Sequence, residues 1–285
     1  MVLASSREHT GDGALERGPA HEVVWHDLEC GRYLADLPLW RELAESSRRG
    51  TLDAPESRAG GWNREHDWEH VAILDVGAGT GRVAFDLARA GHCVSALERD
   101  PALLAELRRR ARGTSVSALG GDARTMQLPR SDLALCIVPM QTVQLLGGPE
   151  ARGAFLGRAR AHLRPGGLLA CAIVCDLEHF DCAAGDVGPK PEMTRVDTTL
   201  YISRPTGVRV RRRVVRIERE RVLVPAGHSV ESKHTQRETD VVELDRVTPA
   251  QLEREARAAG LSPQPTRTIA PTEDHVGSTV VILRA

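Results

Sequence analysis

The sequence of 285 residues lacks the features of membrane-spanning and secreted proteins. No stretch offers the roughly 18 uninterrupted apolar residues that a membrane-spanning helix needs. The segment from Met1 to Pro19 carries charges and no apolar run, unlike a signal peptide. We therefore expect a soluble cytoplasmic protein with no membrane partner.

Paired cysteines are also missing. The six cysteines form no CxxC pair, and most of them lie in apolar runs. A reduced cysteine in such a run behaves as a small hydrophobic side chain. A chain of this length needs neither disulfides nor a metal to fold. The sequence therefore predicts no disulfide framework, no zinc site and no other metal.

The chain has no excess of positive charge, since 38 Lys and Arg residues stand against 39 Asp and Glu residues. Binding to nucleic acid through bulk charge is therefore excluded. A local arginine stripe could still bind RNA, but the acidic residues that alternate with it are more typical of a solvated strand face. We expect no nucleic-acid partner. The stripe consists of Arg209, Arg211, Arg212, Arg213, Arg216, Arg219 and Arg221.

Between residues 71 and 175, short apolar strands alternate with helical segments. This alternation is typical of βαβ units and predicts an α/β fold with a parallel sheet. A polar tail is expected at 1–20, and a helical cap with a connector at 21–70. A last helix and two more strands are expected at 246–285. The complete sheet then has seven mostly parallel strands with helices on both faces.

Residues 176–245 interrupt this rhythm with β-branched stretches of alternating polarity. They predict an inserted antiparallel β-meander with strands near 198–203, 208–224 and 230–244. Within the middle strand the apolar positions change from even, at Val208 and Val210, to odd, at Val215 and Ile217. A β-bulge near 212–214 would account for this change.

The segment at 73–88 reads as a strand, a glycine loop and a helix. Gly77, Gly79 and Gly81 permit a sharp turn and the close approach of a ligand. Their spacing differs from that of the dinucleotide fingerprint, whose sixth position is here Arg82, a residue expected at the surface. Glu98 ends the second strand, where an acidic residue is expected on ribose hydroxyls.

These segments resemble the class I S-adenosylmethionine-dependent methyltransferases. The resemblance rests on Ile73-Leu-Asp-Val-Gly-Ala-Gly-Thr-Gly-Arg82, Glu98, Gly121-Asp-Ala123 and Leu163-Arg-Pro-Gly-Gly167. It implies a Rossmann-like methyltransferase fold, S-adenosylmethionine as cofactor and S-adenosylhomocysteine as product. It further implies that Glu98 binds the ribose and that Asp122 reaches the adenine amino group. We expect Asp75 to orient the glycine loop through backbone hydrogen bonds. The implied cofactor-binding residues are Asp75, Gly77, Ala78, Gly79, Gly81, Glu98, Arg99, Asp122, Ala123 and Val138.

The segment Val138-Pro-Met-Gln-Thr142 limits the classes of molecule that could accept the methyl group. It contains neither the Asn/Asp-Pro-Pro-aromatic motif of nucleobase amino methyltransferases nor the Pro-Cys nucleophile of cytosine-C5 enzymes. Metal-dependent catechol-type enzymes need a trio of acidic and amide ligands around these loops, and only Asp176 is well placed here. The remaining prediction is a bacterial small-molecule methyltransferase acting on O, N or C, as in secondary metabolism. A cofactor-binding protein that does not methylate and an RNA methyltransferase stay open as alternatives.

Candidates for the reaction lie in loops expected beside the cofactor. His275 and His179 are the candidate catalytic bases, and Tyr33, Met140 and Gln141 are the candidate substrate residues. We expect the meander to form one wall of the acceptor pocket, or a subunit contact in a homodimer. Because the implied cofactor residues lie outside the meander, its removal is expected to leave cofactor binding intact.

Overall fold

A computed structural model describes residues 19–52 and 72–285. Residues 1–18 of the tail expected at 1–20 lie outside the described residues, as do residues 53–71, which include the expected connector. The first helix begins at Pro19 and so includes the last two residues of the expected tail. Across the two described ranges, no helix is long and apolar enough to span a membrane.

The described residues form six α-helices and twelve strands. The helices are α1 (Pro19–Glu29), α2 (Leu37–Leu52), α3 (Arg82–Arg89), α4 (Pro101–Arg110), α5 (Pro149–His162) and α6 (Pro249–Ala258). The first six strands are β1 (Ala72–Val76), β2 (Cys93–Glu98), β3 (Val116–Gly120), β4 (Leu133–Val138), β5 (Leu163–Ile173) and β6 (Phe180–Asp181). The others are β7 (Glu192–Val196), β8 (Thr199–Val210), β9 (Val214–Val224), β10 (Gln236–Asp245), β11 (Ser262–Ile269) and β12 (Ser278–Arg284).

The main sheet has seven strands in the order β11-β12-β5-β4-β1-β2-β3. Strands β1 to β5 are parallel, whereas β12 runs antiparallel to both β5 and β11. Successive side chains of a strand point to opposite faces. Ile73 accordingly packs in a cluster with Leu87 and Leu107, while Leu74 packs in another with Phe155 and Leu252. Helices therefore cover both faces, which confirms the predicted fold class.

The insertion forms a second, antiparallel sheet in the order β10-β9-β8-β6, with β7 also paired to β8. The strand expected at 208–224 is wrong, because β8 and β9 are two arms of a hairpin. Val208 pairs with Ile217 and Val210 with Val215, so even positions of β8 share a face with odd positions of β9. The register shift lies earlier, between Pro205 and Gly207, and not at 212–214.

The inner face of this second sheet packs on α1 and on the ends of β4 and β5. Trp25 and Leu28 of α1 form an apolar cluster with Tyr201. Leu244 forms another with Leu145 and Val174. The insertion therefore rests on the carboxyl-end side of the main sheet, which is the side where parallel α/β folds bind ligands.

Two arginines of the predicted stripe lie on this inner face. Arg221 is only 3% exposed, and the Arg219 side chain is about one-fifth exposed. Both are ion-paired, Arg221 with Glu29 and Arg219 with Glu192. The interpretation of the whole stripe as a solvated strand face is therefore wrong for these two residues.

A buried arginine joins the insertion to the helices behind the main sheet. Arg152 of α5 is 1% exposed. Its Nη1 donates to Asp245 at 2.7 Å, while Nε and Nη2 donate to the Glu255 carboxylate at 2.8 Å each. One guanidinium thus compensates two largely buried carboxylates. Loss of one partner from such a group leaves an uncompensated charge.

We predict that Arg152→Met lowers the free energy of unfolding by about 3–5 kcal/mol, because two buried carboxylates lose their counter-ion. Urea unfolding followed by circular dichroism measures the loss. Arg109→Met is the matched control, since Arg109 forms an exposed pair with Glu106 and should matter little. Equal losses in the two variants would contradict the prediction.

Asp75 places an acidic group inside the core of the main sheet. It is 1% exposed, and among the described residues neither carboxyl oxygen has a hydrogen-bond partner. Burial raises the pKa of Asp75 to about 7, against the opposing effect of Arg82. The folded protein therefore keeps this carboxyl protonated over a pH range in which the unfolded chain releases the proton.

The raised pKa of Asp75 makes the free energy of unfolding fall as the pH rises from about 4 to about 7, because in this range the folded state binds more protons than the unfolded state. One such group contributes at most about 1.4 kcal/mol per pH unit. We predict that Asp75→Asn removes this contribution, as shown by urea unfolding at pH 5 and pH 7. Asp132→Asn, at a half-exposed side chain, is the control. The same pH dependence in wild type and Asp75→Asn would refute the assignment.

Candidate functional site

A cavity opens at the carboxyl ends of the parallel strands. The empty space in and in front of this cavity, open solvent included, is about 550 Å³. Five of the predicted cofactor residues line it, namely Gly77, Glu98, Arg99, Asp122 and Ala123. The structure thus brings together residues from the ends of three separate strands.

The glycine loop is shaped by contacts with other parts of the chain. Gly77 and Gly79 have φ values of +70° and +58°, which favour glycine. A Cβ atom at Gly79 would lie 2.2 Å from Nε2 of His26, and one at Gly77 would lie 2.5 Å from Thr142. Glycine is therefore required here by the protein's own packing, in addition to any ligand. Gly81 immediately precedes α3.

Glu98 fixes the glycine loop from the end of β2. Its side chain is buried, and one carboxylate oxygen accepts a hydrogen bond of 2.8 Å from the amide of Gly79. The other oxygen accepts bonds of 2.8 Å from the amides of Arg99 and Asp100. A carboxylate offers about four acceptor positions, so one is left for a ligand hydroxyl.

Asp122 and Ala123 follow β3 at the next edge of the cavity. The Asp122 carboxylate accepts bonds from Nε of Arg124 at 2.9 and 3.0 Å and from the Arg124 amide at 2.8 Å. The Arg124 guanidinium holds the pKa of Asp122 below its usual range. Asp122 is therefore ionised near neutral pH. Sequence reasoning missed Arg124, for which the spacing Asp122-x-Arg124 was the available signal.

Three other predicted residues are buried and do not line the cavity. Ala78 is buried in the core behind the glycine loop, and Val138 is fully buried at the end of β4. Asp75 is also buried, and the hydrogen bonds expected from it to the glycine loop are not formed. These residues support the loops and do not line the cavity.

Helix α1, part of the expected helical cap, contacts the glycine loop through His26 and Asp27, two residues that sequence reasoning did not single out. His26 is 4% exposed, lines the cavity and lies 3.3 Å through Nδ1 from the Thr80 hydroxyl. That hydroxyl donates to Asp27 at 2.6 Å, and Arg110 also pairs with Asp27. Burial lowers the pKa of His26 to about 4, so its ring is neutral at physiological pH.

Tyr33 and His275 come together from opposite ends of the chain. Their ring centroids are 4.8 Å apart. Tyr33 is 5% exposed, and its hydroxyl has no hydrogen-bond partner among the described residues. Burial raises the pKa of Tyr33, so the hydroxyl stays protonated. His275 is half-buried on the turn between β11 and β12.

The surface position expected for Arg82 is wrong. Its side chain is 10% exposed and pairs with Asp36 through bonds of 2.6 and 2.8 Å. It also donates to the Tyr33 carbonyl at 2.6 Å and lies 5.4 Å from the Tyr33 ring. The Trp40 indole donates to the same Asp36 carboxylate at 2.9 Å. This buried network joins the segment between α1 and α2 to the start of α3.

The other candidate residues lie around the ends of β4 and β5. Met140, at φ +54°, and Gln141 are both half-buried after β4. His179 is exposed, and within the described residues no bond or ring contact joins it to Tyr33 or His275. The same part of the chain contains no group of three or more His, Cys, Asp or Glu residues that could hold a metal.

A buried glutamine, also missed from the sequence, ties these loops together. Nε2 of Gln144 donates to the carbonyls of Val174 at 3.0 Å and Asp245 at 2.9 Å. Its Oε1 accepts from the Val174 amide at 2.8 Å. Gln144 thus joins the loop after β4 to the end of β5 and to the end of the insertion. Nothing in the local sequence distinguishes it from an exposed glutamine.

Known sequences match part of this chain. A family model described as a methyltransferase domain matches residues 73–167. A ribosomal RNA small subunit methyltransferase of Arabidopsis thaliana is 38% identical over 73 residues, which are 24% of this chain and 21% of the relative. A probable dimethyladenosine transferase of Caenorhabditis elegans is 33% identical over 73 residues, or 24% of each chain. The matched part spans less than a quarter of these relatives.

Solved structures match over nearly the whole chain. An amino pentose methyltransferase of Micromonospora echinaspora has a TM-score of 0.64 and 22% identity, covering 97% of this chain and 100% of that one. The sugar N-methyltransferase KedS8 of Streptoalloteichus has a TM-score of 0.64 and 15% identity, with both chains fully covered. DesVI of Streptomyces venezuelae also reaches 0.64, at 19% identity, with 94% and 99% covered. Residues 73–167 therefore match a methyltransferase domain, and the whole chain shares the fold of these methyltransferases.

Proposed function

We propose that this protein transfers a methyl group from S-adenosylmethionine to a small-molecule amine and releases S-adenosylhomocysteine. The observation that carries the proposal is the cavity at the strand ends, where Glu98, Asp122 and the glycine loop meet within a methyltransferase domain. The amino pentose methyltransferase with the same fold is described as bound to S-adenosylmethionine.

The residues around the cavity fit this cofactor. Glu98 keeps one acceptor position free for a ribose hydroxyl after its three backbone bonds. Asp122 is ionised and can accept from the adenine amino group, beside the buried Ala123. The loop from Gly77 to Gly81 would hold the methionine part, and Arg99 would flank the ribose.

When bound, the cofactor supplies an activated methyl group, so the protein mainly has to align the acceptor and take up a proton. Tyr33 and His275 are suited to this task. The Tyr33 hydroxyl is buried without a partner among the described residues, so binding an acceptor here requires this hydroxyl to become accessible. The half-buried His275 imidazole, whose ring centroid lies 4.8 Å from that of Tyr33, can accept the proton. His179, Met140 and Gln141 stay as weaker candidates at the rim.

The inner face of the second sheet favours a cationic acceptor. On this face and on α1, which packs against it, the carboxylates of Glu29, Glu192 and Asp240 face the two guanidinium groups of Arg219 and Arg221. Such an acidic excess attracts an ammonium group. Three proteins with similar folds are described as an amino pentose methyltransferase, a sugar N-methyltransferase and a glycopeptide N-methyltransferase. These descriptions agree with an amine of secondary metabolism as the methyl acceptor.

A nucleic-acid acceptor is not part of the proposal. The ribosomal RNA methyltransferase and the probable dimethyladenosine transferase each match over only 73 residues. Arg219 and Arg221, which the sequence placed in a stripe, point inward and are ion-paired. A homodimer and a cytoplasmic location stay predictions.

We predict that Glu98→Gln raises the Kd for S-adenosylhomocysteine about tenfold or more. The substitution removes a charge-assisted acceptor, worth about 1.5–3 kcal/mol, and turns an amide NH₂ toward backbone N–H groups. Isothermal titration calorimetry measures the change. Glu150→Gln, at an exposed position of α5, is the control. An unchanged Kd in Glu98→Gln would remove this residue from the cofactor site.

We predict that methyl-labelled S-adenosylmethionine labels amino sugars but not the same sugars with hydroxyl in place of the amine. His275→Ala should lower kcat about a hundredfold, the lower end for loss of a general base, with the Kd for S-adenosylhomocysteine unchanged. Release of S-adenosylhomocysteine gives the rate. Labelling of the hydroxyl sugars alone would contradict an amine acceptor. Normal cofactor binding without transfer to any acceptor would favour the alternative of a binding protein with this fold.

A further inference from the structure

Helix α1 lies between the cofactor cavity and the inserted sheet, and its two sides contact different parts of the molecule. His26 and Asp27 contact the glycine loop. Trp25, Leu28 and Glu29, at helical spacing, contact the inserted sheet. A shift of α1 would therefore change its contacts with both the glycine loop and the inserted sheet.

A buried ion pair between Glu29 and Arg221 joins α1 to the insertion. Nε and Nη2 of Arg221 donate to the two oxygens of Glu29, each at 2.7 Å. The hydroxyl of Ser203 donates to the same carboxylate at 2.7 Å. The two side chains are 3% and 8% exposed, and the guanidinium also lies 5.6 Å from the ring of Trp25.

This pair fixes the position of α1 because of its geometry and its burial. A bidentate Arg–carboxylate contact sets orientation as well as distance. Although burial acts to raise it, the hydrogen bonds from Arg221 hold the pKa of Glu29 below its usual range, so the pair is ionised. Asp240, 3.2 Å from Arg221, holds the guanidinium from the side of β10. Removal of the arginine would leave several buried carboxylates without compensation.

On its other side, α1 completes the cofactor cavity. The His26 ring occupies the space where a Cβ of Gly79 would lie, and it forms part of the cavity wall. Asp27 holds the Thr80 hydroxyl in the same loop. The shape of the loop that would receive the cofactor therefore depends on where α1 lies.

We propose that Arg221 of the insertion is a positioning residue of the cofactor site, which anchors Glu29 and so holds His26 and Asp27 against the glycine loop. The inserted sheet is then a part of the cofactor site as well as of the acceptor site. This replaces the expectation that cofactor binding is independent of residues 176–245. The inference rests on the proposed function, since it takes S-adenosylhomocysteine as the ligand.

The test is calorimetric titration of S-adenosylhomocysteine into the full chain carrying Arg221→Met. We expect the Kd to rise tenfold or more, with circular dichroism showing a folded protein. Arg237→Met is the matched control, since Arg237 belongs to the same sheet but pairs with Glu220 at an exposed position. It should leave the Kd unchanged. Arg221→Lys, which keeps the charge without the bidentate fork, should give an intermediate Kd.

A double-mutant cycle with His26→Ala separates positioning from general destabilisation. If Arg221 acts through α1, Arg221→Met should add little to the loss that His26→Ala already causes. If Arg221→Met does not fold, hydrogen exchange of the wild type decides, because S-adenosylhomocysteine should then protect α1 and β9 as well as the glycine loop.

An unchanged Kd in folded Arg221→Met, or protection that stops at the glycine loop, would overturn this inference and leave the proposed function intact. Full additivity in the cycle would also contradict it, since the two residues would then act independently. Failure of the wild-type protein to bind S-adenosylhomocysteine would instead contradict the proposed function.

Discussion

The Glu98 carboxylate holds the end of β2 and the glycine loop in one arrangement, and the candidate site is built around it. Three backbone amides donate to its two oxygens, one of them from Gly79 across the gap between two strands. A buried carboxylate with these bonds is held in a fixed orientation. The part of the cavity wall that Glu98 and Gly77 form follows from this arrangement.

A second constraint is the placement of α1 between two sheets. The main sheet supplies the cavity, and the inserted sheet, together with Glu29 of α1, supplies an inner face with an acidic excess. Helix α1 contacts both, through His26 on one side and Glu29 on the other. The ring of Tyr33, just after α1, contacts that of His275 from the far end of the chain. The proposed cofactor and acceptor sites therefore share one structural element, so changes in one are expected to affect the other.

The main sheet and its glycine loop could be predicted from sequence, because strands buried on both faces are apolar throughout and the loop follows β1 directly. The hairpin of β8 and β9 could not, because the change from even Val208 to odd Val215 fits a bulge as well as a turn. The burial of Arg82 depends on Asp36, and that of Arg221 on Glu29, and neither pairing is visible in the order of residues. His26 and Gln144 carry no local signal, since each acts on segments far away in the chain.

A crystal structure of the protein with S-adenosylhomocysteine tests the central claim most directly. The account predicts electron density for the ligand in the cavity at the strand ends, with a ribose hydroxyl within hydrogen-bond distance of Glu98 and the adenine beside Asp122. The sulfur should lie between the glycine loop and the pair of Tyr33 and His275. Density at another place, or a ribose that does not contact Glu98, would contradict the account.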